Sequence, residues 1–457
     1  MKTVLIIAGS DPGAGAGLQQ DLKVATLLGT YGLTVATALT VQNSQGVQAV
    51  HPVAPEVVAA QLDAVLSDFP VAAVKLGMLA TQEIVTLVAA RLKGLGAIPV
   101  VLDPVLAAGG GFPLLDEAGI AAMQDQLFPL TTLLAPNAPE AARLTNLSIS
   151  SPADLEAAAR RLQALGPRWV LAKGGHLPGE PVDVLTDGNN CYHLPGVRLA
   201  APHQHGTGCL LASACAAYLA QGLSLPEAVN QARRLTRQAL KYGLPLGRGS
   251  GPVNPYAPFA RELARFAVLE ELKAAAVRLQ AEDLSPLIPE VMTNLGFAVP
   301  YPEGPQDVAA FPGRLVKSAS GVIIPAAPAF GASRHVAAII LTVLATHPEL
   351  RSAMNIKYVA GIEDLAPLLH WRVASFDRAQ EPADVKSREG GTLAWGVAAV
   401  LKPGRPAPDI IYDKGDLGKE AMIRILGPSP MAVAEKALAI KHALRAGGKL
   451  ERVSSEQ

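Results

Sequence analysis

Two kinds of hydrophobic pattern alternate over the first 240 residues of the chain. Short apolar runs such as VLIIAG, from residue 4, are followed by longer amphipathic segments such as GLQQDLKVATLLG, from residue 17. Four further runs have the length and composition of buried strands: Ala73–Leu76, Pro99–Leu102, Thr132–Ala135 and Trp169–Ala172. Because strands that alternate with helices form βαβ units, the pattern predicts an α/β domain with a mainly parallel sheet flanked by helices.

A segment dense in glycine and proline separates this pattern from a second one. Between Leu246 and Pro258 the chain shows neither helical spacing nor alternation, as expected where it crosses between domains. Beyond it, residues 259–281 have leucines and alanines at helical spacing, and the remainder again mixes strand and helix patterns. We therefore expect two domains, residues 1–255 and residues 266–445, the second also α/β.

Composition limits the classes of function. The chain has 457 residues, half of them hydrophobic, with 39 Lys and Arg balanced by 39 Asp and Glu. A formal net charge of zero gives no general attraction for nucleic-acid phosphates or an anionic membrane, so neither is expected as a partner. No uncharged stretch has the roughly 20 mainly apolar residues of a membrane helix. The apolar run near the N-terminus is shorter than the core of a signal peptide, and we expect a buried strand there.

Three cysteines, Cys191, Cys209 and Cys215, are all the thiols in the sequence. Their odd number and their spacing argue against a disulfide framework and against a zinc site. Sparse cysteines are typical of a reducing compartment, so we expect a cytoplasmic protein. We expect Cys191 and Cys215 to pack as small hydrophobic side chains.

Loops at the carboxyl ends of strands carry the candidate chemistry of the first domain, because ligands bind at that edge of an open parallel sheet. Asn137 and Glu140 follow one predicted strand, and the segment HGTGC at residues 205–209 opens an apolar helix. Small residues there let backbone N–H groups approach an anion, although a tight turn without a ligand has the same composition. The accompanying motifs are IAGSD at residues 7–11, QQDLK at 19–23, VQNSQG at 41–46, KLGML at 75–79, VLDPV at 101–105, PNAPE at 136–140 and KGGH at 173–176.

In this order and spacing, the motifs closely resemble those of hydroxymethylpyrimidine and phosphomethylpyrimidine kinases, a branch of the ribokinase-like superfamily, over residues 3–255. The resemblance implies a ribokinase-like fold, ATP as co-substrate, Mg²⁺ as cofactor and a homodimer. It also implies a pyrimidine pocket in which an acid and an amide bind the aminopyrimidine edge and apolar groups contact the ring faces. The corresponding residues are Gly9, Asp21, Gln42, Met78 and Val105.

The resemblance further implies a site for the phosphates of ATP. The corresponding residues are Lys173, Gly206, Thr207 and Gly208. Glu140 would hold Mg²⁺ through water, so that metal, helix dipole and lysine share the charge of the transferring phosphoryl group. Asp103 either caps the next element or orients Mg²⁺. Gly109 stands where the family usually has a lysine, so one expected cation is missing.

Cys209 distinguishes this resemblance from related sugar kinases. Those kinases have an aspartate at this step, where it accepts the proton of the substrate hydroxyl, and the pyrimidine kinases have a cysteine. A helix N-terminus lowers the pKa of a thiol, so we expect the Cys209 thiolate to act as general base on the hydroxymethyl group. The alternative is a cysteine that packs as a hydrophobic side chain.

A pyridoxal-type kinase is the competing activity, against which Cys209 and Gln42 favour the pyrimidine. We expect His176 and His205 to be loop histidines without a role in proton transfer.

Glycines interleaved with charged residues occur in three segments of the second domain, residues 307–314, 330–337 and 413–420. This composition is typical of an anion site with metal-binding capacity. The segments resemble a ThiN-type thiamine-phosphate synthase domain, which is found fused behind this kind of kinase, over about residues 267–444. The resemblance implies that hydroxymethylpyrimidine diphosphate condenses with thiazole phosphate to give thiamine phosphate and pyrophosphate.

Arg314 and His335 fall where that family has its essential arginine and histidine. A guanidinium binds phosphate bidentately and keeps its charge, so we expect Arg314 to clamp a phosphate; the alternative is a solvated surface arginine. His335 either donates a hydrogen bond to that phosphate or assists proton removal, unless it is a capping or core histidine. Candidate phosphate contacts, or else members of a charged turn, are Lys414, Asp416 and Lys419.

The resemblances together imply a bifunctional enzyme of thiamine biosynthesis, with a kinase in residues 1–255 and a synthase in residues 266–445. Its substrates would be hydroxymethylpyrimidine and its phosphate, ATP and thiazole phosphate. The competing interpretation of the second domain is a ligand-sensing module without catalysis, because related domains also occur joined to DNA-binding segments. The sequence shows no helix-turn-helix segment or basic cluster, and Arg314 with His335 favours catalysis.

Overall fold

A computed structural model of the chain describes residues 1–382, 391–402, 404–416 and 418–450. The chain divides into two compact units, Met1–Pro258 and a unit that begins at Phe259. Each unit has its own sheet and its own hydrophobic core. The predicted α/β class is confirmed in both units.

The first unit is built on a nine-stranded sheet. Its strands are β1 (Thr3–Ser10), β2 (Tyr31–Asn43), β3 (Gly46–Pro52), β4 (Ala73–Leu76), β5 (Val100–Leu102), β6 (Leu133–Leu134), β7 (Trp169–Ala172), β8 (Val182–Thr186) and β9 (Cys191–Pro195). Its helices are α1 (Gly17–Leu27), α2 (Pro55–Asp68), α3 (Gln82–Leu92), α4 (Glu117–Ala122), α5 (Ala138–Thr145), α6 (Pro152–Gln163), α7 (Thr207–Ala220) and α8 (Leu225–Lys241). The observed strands include all four that the apolar runs predict, although β5 and β6 are shorter than their runs.

The strand order is β3-β2-β1-β4-β5-β6-β7-β8-β9. The pairs from β2 through β7 are parallel. The pairs that β3, β8 and β9 make at the two edges are antiparallel. Seven of the eight residues of β1 are buried, as expected for a central strand covered on both faces. The parallel strands therefore bring their following loops to one edge of the sheet.

The segment predicted as one helix over residues 259–281 forms two, α9 (Ala257–Leu263) and α10 (Arg265–Ala281). The other helices of the second unit are α11 (Arg334–Leu344), α12 (Ile362–Leu368), α13 (Gly391–Val400) and α14 (Pro430–Leu450). Its strands are β10 (Leu295–Ala298), β11 (Val308–Ala310), β12 (Val316–Ser318), β13 (Gly321–Ile323), β14 (Ala329–Phe330), β15 (Ser352–Lys357), β16 (Val373–Ser375), β17 (Ile410–Asp413) and β18 (Met422–Gly427). The helix that was expected to be continuous is interrupted at Ala264, which is a turn residue.

The second sheet is mainly antiparallel, in the order β14-β11-β10-β15-β18-β17-β16. Among the described residues its one parallel pair joins β16 to β17, and β12 and β13 form a separate hairpin. Successive residues of a strand face opposite sides, so Met354 joins a core with α10 and α14, and Ala353 joins a core with α11 and α13. Helices therefore cover both faces of this sheet. Among the described helices of the whole chain, none combines the length and apolar character needed to cross a bilayer.

Candidate active sites

The segment HGTGC forms the N-terminus of α7, as the sequence predicts. Gly206 caps the helix with φ of 82°, in the left-handed region. A Cβ on Gly206 would lie 1.7 Å from the carbonyl oxygen of Gly15, so both the conformation and the available space require glycine. This close approach packs the start of α7 against the loop between β1 and α1.

Cys209 lies in the first turn of α7 and is half-buried. Its sulfur accepts a hydrogen bond from the N–H of Gly17, the first residue of α1, so it lies where two helix N-termini meet. Burial raises the pKa of the thiol to about 12; Lys75 opposes this rise, and Asp21 and Asp103 add to it. The expected lowering of the thiol pKa is therefore wrong for this structure, because the cost of burying a thiolate exceeds the help of the helix dipoles and Lys75.

Lys75, whose ammonium group opposes the rise in the pKa of Cys209, belongs to a fully buried ion pair. Lys75 Nζ lies 2.6 Å from Asp21 Oδ2, and the Ser213 hydroxyl donates to Oδ1 of the same carboxylate at 2.7 Å. Burial alone would lower the pKa of Lys75, but the adjacent Asp21 carboxylate raises it above its ordinary value. Lys75 is a site residue that the sequence analysis misses. Its signal is a lysine inside an apolar strand, since a buried charge needs a partner.

A second charged group lies beside Gly208. A Cβ on Gly208 would lie 3.3 Å from Asp103 Oδ2 and 3.5 Å from Lys173 Nζ. Lys173 Nζ itself lies 3.1 Å from Asp103 Oδ1. The buried Asp103 carboxylate therefore pairs with Lys173 at the start of α7.

Asn137 and Glu140 form a capping box at the start of α5. The Glu140 N–H donates to Asn137 Oδ1 at 2.9 Å, and the Asn137 N–H donates to Glu140 Oε2 at 2.7 Å. Burial raises the pKa of Glu140 to about 7, with Lys173 opposing the rise and Asp103 adding to it. Two buried carboxylates thus share one lysine, and oxygen ligands are those that Mg²⁺ prefers. The carboxylate oxygens of Asp103 and Glu140 are therefore suitable ligands for the predicted Mg²⁺.

Gln42 lies beside His205, which in turn contacts Asp11. Gln42 Nε2 lies 3.2 Å from His205 Nε2, and the same histidine nitrogen lies 3.0 Å from Asp11 Oδ2. The Asp11 carboxylate also accepts hydrogen bonds from backbone N–H groups of the loop that follows it. Although burial raises the pKa of Asp11, His205 and these N–H groups bring it below its ordinary value. Because the Nε2 that donates to Asp11 cannot also accept from the Gln42 amide, Asp11 positions His205 next to Gln42, a predicted pocket residue, and the sequence does not indicate this arrangement.

The apolar residues predicted for the pyrimidine pocket lie at the ends of β1, β4 and β5, three neighbouring strands. Gly9 packs against Met78: a Cβ on Gly9 would lie 2.9 Å from the Met78 sulfur. Val105 is half-buried in the loop after β5. Gly109, further along this loop, has no heavy atom within 4 Å of the position a Cβ would take, apart from its chain neighbours.

In the second unit, both residues predicted for catalysis line one cavity of about 360 Å³. Arg314 is exposed, has φ of 64° and donates from Nη1 to the carbonyl of Val291. His335 is exposed as the second residue of α11, which Ser333 caps by accepting from the Val336 N–H. A left-handed arginine costs roughly 1–3 kcal/mol and occurs where the surroundings hold it in place. The cavity therefore combines a fixed guanidinium with a helix N-terminus, an arrangement suited to phosphate.

Asn294 is a further residue of this cavity, and the sequence analysis misses it. Its buried amide donates from Nδ2 to the Phe311 carbonyl at 3.0 Å and accepts from the Phe311 N–H at 3.0 Å. These two bonds fix the wall of the cavity near Arg314. The signal in the sequence is an asparagine directly before an apolar strand.

The turn after β17 holds the other candidate phosphate contacts of the second unit. Lys414 Nζ lies 3.5 Å from Glu363, Lys419 Nζ lies 3.8 Å from Glu381, and Asp416 pairs with Lys419 through backbone hydrogen bonds. Within the described part of the chain, none of Lys414, Asp416 and Lys419 lines the cavity of Arg314. Glu363 instead lines a second cavity of about 320 Å³ with Ser375 and Tyr412. The structure thus does not bring the lysines to Arg314 and His335.

Asp413, directly before this turn, is engaged within the protein. Arg378 Nε lies 2.6 Å from Asp413 Oδ1, and Arg424 Nη2 lies 2.7 Å from Oδ2. Burial raises the pKa of Asp413, but the two guanidinium groups more than offset this and keep it below its ordinary value. These buried ion pairs join β17 to β18 and to the short turn that begins at Arg378.

The mainly parallel sheet flanked by helices, with charged residues gathered around the start of α7, places the first unit in the ribokinase-like class of folds. Residues 11–254 match the family model described as phosphomethylpyrimidine kinase, and residues 271–439 match the one described as thiamine-phosphate synthase ThiN. The chain belongs to the phosphomethylpyrimidine kinase family and carries a ThiN domain behind the kinase.

Known relatives match the kinase part of the chain. The chain is 51% identical to the thiamine biosynthesis bifunctional protein ThiED of Geobacter sulfurreducens over 253 residues, which are 55% of this chain and 52% of that protein. It therefore spans about half the length of that relative. It is 46% identical to the hydroxymethylpyrimidine/phosphomethylpyrimidine kinase of Mycobacterium bovis over 255 residues, which are 55% of this chain and 93% of that one.

A solved structure confirms the predicted fold of the first unit. An ADP complex of Bacillus subtilis pyridoxal kinase is 34% identical, with a TM-score of 0.53, and the match covers 57% of this chain and 99% of that one.

Proposed function

We propose that the chain is a bifunctional enzyme of thiamine biosynthesis. The kinase, residues 1–255, phosphorylates hydroxymethylpyrimidine and then its monophosphate with ATP. The synthase, residues 266–445, condenses the resulting diphosphate with thiazole phosphate and releases thiamine phosphate and pyrophosphate. The observation that carries the proposal is the Cys209 sulfur at the meeting point of α1 and α7, with Lys75 beside it. The match of the two halves to successive enzymes supports their combination.

In the first phosphorylation, the thiolate form of Cys209 takes the proton of the hydroxymethyl group. The alcohol oxygen then attacks the γ-phosphorus, and ADP leaves. Because the pKa of the thiol is about 12, the thiolate is a minor species at neutral pH, and Lys75 and the Gly17 N–H stabilise it. The rate of this step is therefore expected to rise with pH through the neutral range.

In the second phosphorylation, the nucleophile is a phosphate oxygen and there is no hydroxyl proton to remove. A thiolate would repel the phosphate of the monophosphate, whereas a neutral thiol does not. The raised pKa of Cys209 therefore suits the second step, in which Lys75 attracts the phosphate of the monophosphate. One cysteine can serve both substrates because its neutral form predominates.

The remaining residues of the first site bind and orient the substrates. Gln42, which lies beside His205, hydrogen-bonds the edge of the pyrimidine, and the ring lies against Gly9, Met78 and Val105. Asp21 was predicted to bind the edge of the pyrimidine, but it is fully buried with Lys75 and Ser213 on its carboxylate oxygens, so we assign it to positioning Lys75 instead.

The phosphates of ATP bind the backbone of Gly206, Thr207 and Gly208, with Lys173 beside them. Asp103 and Glu140 would hold Mg²⁺, Glu140 through water. The metal supplies charge neutralisation on the phosphates. Lys173 keeps the two carboxylates from repelling each other.

In the synthase, Arg314 and the first turn of α11 bind the diphosphate of the pyrimidine. Negative charge on that diphosphate increases as the bond to the pyrimidine methylene carbon breaks, and the guanidinium stabilises it. His335, which lines the same cavity, donates a hydrogen bond to the departing group.

The proposal also includes a homodimer in the cytoplasm; three cysteines without a disulfide support a reducing compartment.

Phosphorylation of pyridoxal is a second candidate function of the first unit. The likeness to the Bacillus subtilis pyridoxal kinase favours it. Both substrates are flat nitrogen heterocycles that carry a hydroxymethyl group, so the same pocket chemistry suits either. The identities of 51% and 46% to the two thiamine-pathway relatives favour the pyrimidine.

The direct test supplies the full chain with hydroxymethylpyrimidine, MgATP and thiazole phosphate and measures thiamine phosphate. We expect product only when all three substrates are present. Pyridoxal is offered in parallel, and a faster release of ADP with pyridoxal would favour the second candidate. Synthetic pyrimidine diphosphate is offered with thiazole phosphate to test the synthase alone. Binding of both compounds without product would indicate a sensor domain and contradict the proposal.

A further inference from the structure

Three side chains at the edge of the first sheet bring metal-ligand atoms together. One ligand atom from each of Glu156, Cys191 and His193 lies within 4.8 Å of the other two. The cysteine spacing argues only against a zinc site built from several cysteines. It does not bear on this cluster, which contains one cysteine. No part of the proposed kinase or synthase chemistry uses it.

The backbone explains why the three residues meet. Cys191 and His193 are separated by one residue on β9, so their side chains point to the same face of the strand. The residues opposite them on β8 are Thr186 and Val184, which are buried. Helix α6 covers this face of the sheet and contributes Glu156 to the cluster.

The Glu156 carboxylate contacts both of the other two residues of the cluster. Glu156 Oε2 lies 2.7 Å from His193 Nε2, and Cys191 also hydrogen-bonds to the Glu156 carboxylate. Arg160, one turn further along α6, lies 2.9 Å from the other oxygen, Oε1. Arg160 also hydrogen-bonds Cys191, so its guanidinium competes with a cation for two of the three ligands.

The charges in the cluster also suit a cation. The two positive charges of a bound divalent ion would balance one thiolate and one carboxylate and would displace the Arg160 guanidinium from them. His193 and Glu156 are partly exposed, with 46% and 28% of their side chains accessible, so an ion has a path to the site.

We propose that Glu156, Cys191 and His193 bind a divalent cation of the Zn²⁺ class, with water as the fourth ligand. Sulfur, imidazole nitrogen and carboxylate oxygen are the three ligand types that Zn²⁺ takes in proteins, and sites with three protein ligands keep one open position. Mg²⁺ and Ca²⁺ prefer oxygen ligands alone and are not expected there. The site is separate from the predicted Mg²⁺ ligands Asp103 and Glu140.

The test titrates the metal-free full chain with Co²⁺ and then displaces it with Zn²⁺. A thiolate bound to Co²⁺ gives a near-ultraviolet charge-transfer absorption, which we expect to saturate at one equivalent and to vanish on addition of Zn²⁺. Cys191→Ser and His193→Ala should each lose the absorption and weaken Zn²⁺ binding by about tenfold or more. Cys209→Ser and Cys215→Ser are the matched controls, and both should keep it.

Thermal unfolding of each variant shows whether it is folded, and Arg160→Gln provides a variant that retains all three ligands. Loss of the competing guanidinium should leave the absorption in place and tighten Zn²⁺ binding. The proposal is overturned if the absorption disappears in Cys209→Ser, if it persists in Cys191→Ser, or if no one-equivalent binding occurs. Weaker Zn²⁺ binding by a folded Arg160→Gln variant would overturn it as well.

Discussion

The two candidate active sites hold their charges in opposite ways. In the kinase, Lys75 and Asp21 are buried and paired with each other, and Asp103 is buried against Lys173. In the synthase, Arg314 and His335 are exposed around an open cavity, whereas the buried charges of that unit, such as Asp413, serve the scaffold. The kinase site is therefore organised by the protein itself, and the synthase site is completed by its ligand. Substitutions in the first should change stability and activity together, and those in the second should change activity alone.

The largest expected effect separates the two activities. Cys209→Ala removes the proposed base and should lower phosphorylation of hydroxymethylpyrimidine by about 10²–10⁴-fold. Phosphorylation of the monophosphate should fall much less, because no hydroxyl proton is removed in that step. ADP release with each substrate measures both rates, and Cys215→Ala in the same helix is the control.

Condensation of supplied diphosphate should be unchanged in Cys209→Ala and severely reduced in His335→Ala, which should keep its kinase activity. Formation of thiamine phosphate measures it. If both variants lost both activities while remaining folded, the division into two independent sites would be wrong.

The next effect tests whether the kinase site is stabilised by its own charges. Lys75→Met leaves the Asp21 carboxylate buried without its partner and should destabilise the protein by about 3–5 kcal/mol, as measured by urea unfolding. Adding Asp21→Asn should recover much of that loss, since no buried charge then remains. Arg314→Gln is the contrasting variant and should leave the unfolding curve nearly unchanged. Equal destabilisation by Lys75→Met and Arg314→Gln would remove the distinction between the two sites.

A smaller effect concerns pH. The pKa of Glu140 is about 7 in the folded protein, above its ordinary value of 4.5, so the folded state holds a proton that the unfolded state loses between these values. Stability from this residue is therefore full below pH 4.5 and falls as pH rises toward 7. Glu140→Gln should match the parent at the acidic end and unfold at a higher temperature above pH 7, with weaker kinase activity. If the parent protein and Glu140→Gln had equal melting temperatures across this pH range, burial would not destabilise the ionised Glu140 carboxylate.

The smallest effect is expected at Lys414. Its side chain is 71% exposed and pairs with Glu363 outside the cavity of Arg314. Lys414→Gln should therefore change stability by less than about 1 kcal/mol and leave the KM for the diphosphate nearly unchanged. A large rise in that KM, measured by condensation kinetics, would return Lys414 to the phosphate site where the sequence had suggested it.

Sequence reasoning succeeded where local forces decide the structure. The bounds of two apolar runs agree with those of β4 and β7. Asn137 and Glu140, three residues apart, form a capping box at the start of α5. The charge pairs of the kinase site have no local pattern, because Lys75 and Asp21 are 54 residues apart and His205 and Asp11 are 194 apart.

The chemistry of Cys209 shows the same limit. The sequence reveals a thiol at a helix N-terminus and predicts a lowered pKa. The amount of protein packed around that sulfur depends on the loop between β1 and α1, far from it in the chain, and it reverses the direction of the shift.

The Glu140 carboxylate belongs to two structures at once, the first turn of α5 and the charged group around Lys173. A hydrogen bond to an ionised carboxylate is stronger than one to a neutral acid. Any cation that draws the proton from Glu140 therefore also tightens the bond from the Asn137 amide and firms the beginning of the helix. Hydrogen exchange at that single amide would consequently follow the filling of the nucleotide pocket, without any label on the nucleotide.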